Sequence, residues 1–120
     1  MIKIMLVDDE VFARDTMAKF IRKNGFDVCV AGTADEAVGV FKKERPDIVF
    51  LDLMLPDLDG DYLFPILKKL NNSLDIYFIT GSSFVFPEEK AKELGAAGYL
   101  QKPVLFEDLS KLLEEIKLKK

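Results

Sequence analysis

Five times along the 120 residues a short apolar run is followed by a stretch with helical periodicity, and this alternation restricts the fold more than any other feature. The apolar runs predict strands near 2–7, 26–31, 47–51, 75–79 and 97–101. The stretches between and after them predict helices near 10–24, 34–45, 59–71, 87–95 and 106–118. The first helix carries Ala13, Met17, Phe20 and Ile21 on one stripe; the last carries Phe106, Leu109, Leu112, Leu113 and Ile116. Gly25 and Gly95 fall just past helix ends, where a left-handed residue is wanted. Pro46 follows the second helix and Pro87 suits the first turn of the fourth. Five strands alternating with five helices predict one α/β domain over 1–120, an open doubly wound parallel sheet with helices on both faces. Ile48-Val-Phe-Leu51 and Ile76-Tyr-Phe-Ile79 are unbroken apolar runs, as central strands buried on both sides require.

Composition removes several classes of function. A net charge of −4 lacks the footprint of a nucleic-acid binder and disfavours an anionic membrane surface. No apolar stretch approaches the ~20 residues of a membrane-spanning helix. The opening apolar run is cut off by Asp8-Asp9-Glu10, too early and too acidic for a signal peptide, so a cytoplasmic location is expected. The single cysteine, Cys29, lies in an apolar run and reads as a buried small hydrophobe rather than a reactive thiol. The absence of histidine excludes His-based metal sites and His-dependent catalytic triads.

In doubly wound sheets ligands bind beyond the carboxyl ends of the strands. Residues able to handle a phosphoryl group stand at four of those ends: Asp8 and Asp9 after the first strand, Asp52 after the third, Thr80 after the fourth and Lys102 after the fifth. Taken singly, each has a plain structural explanation. Asp8 could cap the first helix, Asp52 could be a turn residue, and Lys-Pro could be a surface loop. Together they predict one shallow site, with Thr80 and Lys102 at exposed strand ends. Three neighbouring carboxylates repel by several kcal/mol per pair at an effective dielectric of ~20, so either their pKa values rise or a cation sits among them. Oxygen ligands of this kind suit Mg²⁺.

Through Ile4-Met-Leu-Val-Asp-Asp-Glu10, Pro46-Asp-Ile-Val-Phe-Leu-Asp-Leu-Met-Leu-Pro-Asp-Leu-Asp-Gly60, Ile79-Thr-Gly81 and Gly95-Ala-Ala-Gly-Tyr-Leu-Gln-Lys-Pro103, the sequence resembles the CheY-like receiver domains of two-component response regulators. The resemblance spans essentially the whole chain. It implies a flavodoxin-like strand order 2-1-3-4-5 and a switch that accepts a phosphoryl group on Asp52. It further implies that Asp8, Asp9, Asp52 and the backbone carbonyl of Met54 hold Mg²⁺, and that Lys102 and Thr80 bind phosphoryl oxygens. Tyr99 would change position with Thr80, coupling the site to the face formed by the fourth helix, fifth strand and fifth helix. A cis peptide before Pro103 would aim Lys102 into the site.

The partners so implied are a sensor histidine kinase or phosphotransfer protein and a downstream protein target or output domain, with room for a phosphorylation-dependent homodimer. Turnover of outside substrates is not expected. Haloacid dehalogenase phosphatases, which resemble this chain in their Asp, Thr, Lys and Mg²⁺, carry a second Asp two residues after the nucleophile, where this chain has Met54. An electron carrier of the flavodoxin type would need a hydroxyl- and glycine-rich phosphate loop after the first strand, where this chain has three acidic residues. A docking module that is never phosphorylated ranks below the switch, since every expected site residue is present. The chain ends after the fifth helix, which fits either a receiver that stands alone or one separated from an output domain.

Three departures from the family pattern stand out. Gly81 replaces a common alanine and Val104 a common phenylalanine. Ser82-Ser-Phe-Val-Phe86 is apolar where the family usually has a polar loop, which makes Phe84 and Phe86 candidate partner contacts, although either ring could instead fold back on the fourth helix.

Overall fold

A computed structural model of the protein describes residues 1–81 and 88–120, with the backbone alone at 88–90. Its strands are β1 (Lys3–Val7), β2 (Asp27–Ala31), β3 (Ile48–Asp52), β4 (Asp75–Thr80) and β5 (Gly98–Gln101). The helices between and after them are α1 (Val11–Lys23), α2 (Ala34–Glu44), α3 (Gly60–Leu70), α4 (Glu88–Leu94) and α5 (Phe106–Lys119). All four strand pairings are parallel, in the order β2-β1-β3-β4-β5, as the resemblance implied. Phe84, Phe86 and Pro87 lie outside the described residues.

Strand alternation divides the core into two layers. Met5, Val7, Val49, Leu51, Ile76 and Phe78 point to the face covered by α2, α3 and α4, where they meet Ala37, Phe41, Leu63, Leu67 and Ala91. Ile4, Leu6, Ile48, Phe50, Tyr77 and Ile79 point to the other face, against Met17 and Ile21 of α1 and Leu109, Leu113 and Ile116 of α5. Burying each large side chain of this kind contributes about 1.5–3 kcal/mol, so the three central strands are fixed from both sides. At the rim of the second layer Phe106 is half exposed and stacks on Phe20 of α1, ring centroids 4.4 Å apart and nearly parallel.

The punctuation follows local chemistry. Gly25 and Gly95 adopt φ of 92° and 84°, which side chains rarely tolerate. Arg45, just before Pro46, closes α2 in the left-handed region at φ 50°. Cys29 is half-buried, less enclosed than its apolar run predicts, and burial pushes its thiol up to about 11, which keeps it protonated and unreactive.

Candidate functional site

The apolar strands β1, β3 and β4 all end at the same edge of the sheet, and the polar residues that follow or finish them converge there. Among the described residues, Asp8, Asp52 and Thr80 are the buried polar or charged ones, and all three lie at this edge. Asp8 does not cap α1: it stands ahead of the helix, and its Oδ1 accepts a hydrogen bond from the Glu10 backbone N–H at 3.0 Å. Thr80, the last residue of β4, is buried rather than exposed; its strand is paired on both sides, with β3 and β5. Asp9 is exposed.

Lys102 crosses the sheet end to join these groups. Its backbone N–H donates to the Thr80 carbonyl at 2.6 Å, which anchors the turn after β5 to the end of β4. The following peptide bond, to Pro103, is cis. The ammonium donates to Asp52 Oδ2 at 2.9 Å and to Asp8 Oδ1 at 3.4 Å, with Glu10 at 3.9 Å. Asp52 Oδ1 accepts from the Met54 backbone N–H at 3.0 Å, an arrangement that turns the chain sharply after β3.

The electrostatics are finely opposed. Burial pushes the Asp52 carboxyl above its ordinary value, helped by the charge of Asp8; the bonds from Lys102 and Met54 pull the other way without cancelling it. Burial alone would lower Lys102, yet its hydrogen bond to Asp52 and the charges of Asp52 and Asp8 together hold it above the usual lysine value. The two shifts agree: one lysine is secured as a cation, and it is too little for two buried carboxylates.

Carboxylate oxygens of Asp8, Asp9 and Asp52 all lie within 4.8 Å of one another. Asp8 Oδ2 is buried without a hydrogen bond, although the Lys102 ammonium is 3.3 Å away in a poor direction for one. An orphaned buried oxygen beside two further carboxylates is a donor set for a hard cation. These residues therefore fit Mg²⁺. The space before them is a cleft of about 390 Å³ lined by Asp9, Asp52, Met54, Pro56, Gly81 and Lys102.

A family model for the response regulator receiver domain matches residues 4–114. The chain belongs to that family. It is 38% identical over 101 residues to a probable transcriptional regulator, ycf27, of Porphyridium aerugineum, a match covering 84% of this chain and 42% of the other. Among solved structures, the receiver domain of NtrX from Brucella abortus superposes with a TM-score of 0.85 at 32% identity, over 93% of this chain and 95% of that one. A CheY-like receiver domain protein from Methanospirillum hungatei gives 0.85 at 26% identity, over 100% and 99%. The chain spans less than half the length of the curated relatives it matches. Membership makes it a module of phosphorylation-dependent signalling, and no described helix is long and apolar enough to cross a membrane.

Tyr99 is 41% exposed. The β4–β5 register pairs it with Phe78 and pairs Thr80 with Gln101, which puts Tyr99 and Thr80 on the same face of neighbouring strands. Sequence reasoning assigned no role to two residues that shape the Asp52 loop. Gly60 packs so closely on the Asp52 carbonyl that a Cβ there would collide with it, and its N–H donates to the Leu53 carbonyl at 2.8 Å. Its place in Asp-Leu-Asp-Gly60 was the available signal. Asp57 bonds to the start of α2, more than twenty residues away, and no local pattern announces that contact.

Proposed function

We propose that this receiver accepts a phosphoryl group on Asp52 from the phosphohistidine of a sensor histidine kinase or phosphotransfer protein, in a Mg²⁺-dependent reaction. The observation that carries the reading is the surplus of negative charge around Lys102: two buried carboxylates, one with an unbonded oxygen, share a single ammonium. Phosphoryl transfer has a loose transition state whose charge spreads over the equatorial oxygens, so its catalysis is chiefly positioning and cationic stabilisation. Mg²⁺ bound to Asp8, Asp9, Asp52 and the Met54 carbonyl would supply the positive charge that Lys102 cannot supply alone.

Asp52 contributes the nucleophilic oxygen. The P–N bond to the donor imidazole breaks as the P–O bond to Asp52 forms, and the imidazole leaves with the electron pair. A carboxylate has no proton to lose, so no general base is needed and a chain without histidine suffices. Lys102 then turns from Asp52 to a phosphoryl oxygen, and the Thr80 hydroxyl donates to another. The chain promotes its own phosphorylation and dephosphorylation and turns over no outside substrate.

Movement of Thr80 toward the phosphoryl group frees space on the face it shares with Tyr99, and Tyr99 fills it, relaying the state to the surface of α4, β5 and α5. The population shift is bounded by how differently the phosphoryl group interacts with the two states. A groove of about 540 Å³ runs from Lys102 past Phe12, Met17, Val104 and Phe106, giving the phosphodonor an apolar seat beside the site. The output is a protein target or a joined output domain, in keeping with relatives described as transcriptional regulators, and the setting is the cytoplasm.

Incubation with acetyl phosphate and Mg²⁺ should add one group of about 80 Da, the mass of HPO₃, by intact-mass spectrometry. Chelation of the metal, or Asp52→Ala, should abolish the addition. An undiminished adduct on the Asp52 variant would overturn the assignment.

A further inference from the structure

The loop from Leu53 to Asp59 carries the Met54 carbonyl and, besides the Met54 N–H bond to Asp52 Oδ1 at 3.0 Å, is held at three places. At its start the Leu53 N–H donates to the Ile79 carbonyl at 3.1 Å; at its end Gly60 donates back to Leu53. Between them Asp57 reaches across to α2, where its Oδ1 accepts from the Ala34 N–H at 2.8 Å and its Oδ2 from the Asp35 N–H at 3.0 Å.

Helix α2 has other means of closing its N-terminus. Thr33 caps it from within, accepting from the Glu36 N–H at 3.1 Å, and the Glu36 carboxylate accepts from the Gly32 N–H at 3.0 Å. The first turn already holds Asp35 and Glu36, so a third carboxylate gains from the backbone donors but is opposed by like charge. The Asp35 donor is exposed, where water could satisfy it, whereas Ala34 is buried and its N–H depends on Asp57. The two Asp57 bonds therefore tie the loop to a helix start that Thr33 and Glu36 already cap by other bonds. The two N–H bonds also hold the Asp57 carboxyl below the usual carboxylate value, so it grips the helix throughout the neutral range.

We infer that Asp57 is a positioning residue for the phosphorylation site: by clamping the β3–α3 loop to the first turn of α2, it sets where the Met54 carbonyl stands relative to Asp52. The inference rests on the proposed Mg²⁺-dependent phosphorylation only for its functional consequence. The placement of the loop can be read without metal. Residues that orient ligands from behind typically change metal affinity by about 10–100-fold when removed. A single flexible carbonyl among several ligands should lie at the lower end of that range.

The decisive set is wild type, Asp57→Ala, Asp57→Asn and Thr33→Ala, with Thr33→Ala reporting what weakening the α2 cap does by itself. Mg²⁺ affinity is measured by calorimetry, and exchange of the Met54 amide by NMR in the metal-free protein. Asp57→Ala should weaken Mg²⁺ about tenfold and speed Met54 exchange. Asp57→Asn, which keeps one acceptor oxygen, should fall between it and wild type. Thr33→Ala should lower the melting temperature while leaving both readouts near wild type. Unchanged Met54 exchange in Asp57→Ala overturns the inference, and so does an equal effect from Thr33→Ala. Wild type that binds no Mg²⁺ would instead overturn the proposed function, while Met54 exchange would still decide whether Asp57 sets the loop.

Discussion

The interior of β1, β3 and β4 and the carboxyl edge of the same three strands are built on opposite terms. Within the sheet, Ile4 to Val7, Ile48 to Leu51 and Ile76 to Ile79 are buried, apolar and packed from both faces. One residue further on, the edge buries Asp8, Asp52 and Thr80, leaves Asp8 Oδ2 without a hydrogen bond and raises the pKa of Asp52. The interior is optimised for the folded state. Under the proposed function the edge would serve a cation and a phosphoryl group that arrive later, and until then the burial of Asp52 beside Asp8 works against folding. A buried carboxylate whose pKa is raised in this way marks a functional site, because stability alone would not keep it.

That contrast breaks first if the interior is not what holds the protein together. Phe50→Ala, in the middle of β3 and edge-to-face with Tyr77 at 5.6 Å, should cost about 3–5 kcal/mol in a urea titration. A loss below about 0.5 kcal/mol, the scale of surface changes, would mean that the layer relaxes around the gap and that interior and edge are not distinct.

Lys102→Ala tests the edge from its cationic side. Removing the ammonium leaves Asp8 and Asp52 facing each other without compensation, yet the side chain is about a fifth exposed, so water can screen part of the repulsion. A cost of about 1–3 kcal/mol is expected in the metal-free protein, together with a large loss of phosphoryl uptake. Restoration of most of the stability by Mg²⁺ would show that metal and lysine answer the same charge surplus. Normal uptake in the variant would remove Lys102 from the mechanism.

Asp52→Asn has the opposite sign. Because folding raises the Asp52 pKa, the folded state binds the proton better than the unfolded chain. The contribution of the group is thus most favourable below the unfolded value of about 3.8 and is lost as pH rises through the folded value. The neutral amide escapes this loss. Without metal, the variant should therefore be the more stable protein at pH 7, and its advantage should shrink as the pH falls toward 3.5. Parallel urea titrations across that interval measure the difference, and an advantage that does not depend on pH would assign it to packing.

Much of the fold was legible because apolar runs and helical stripes are local. All ten elements begin and end within about two residues of the positions that periodicity predicts, the usual looseness of helix boundaries, although the start of α4 lies next to the undescribed residues. The site was legible from a rule about strand ends, which needs the order of elements and not their coordinates. Burial at that edge was less accessible. Thr80 is buried at the end of a strand paired on both sides, and nothing in Ile79-Thr-Gly81 announces it. Asp57 was invisible for the same reason: its partners, Ala34 and Asp35, come from another part of the chain.

Asp9→Ala should produce the smallest change and separates two accounts of the acidic edge. Asp9 is exposed, and water screens its repulsion of Asp8 and Asp52 far more than those two are screened from each other. If the carboxylates are gathered for a cation, removing Asp9 should raise the metal-free melting temperature slightly, within the about 0.5 kcal/mol that surface changes span. Mg²⁺ affinity should fall in the same protein, since one charged oxygen ligand is gone. The signs must be opposite, because relief of repulsion and loss of a ligand are consequences of the same charge. A thermal melt without metal and a calorimetric Mg²⁺ titration give the two numbers. A lower melting temperature with unchanged affinity would make Asp9 a structural residue of the β1–α1 turn, and would leave Asp8, Asp52 and the Met54 carbonyl as the whole of the protein's metal site.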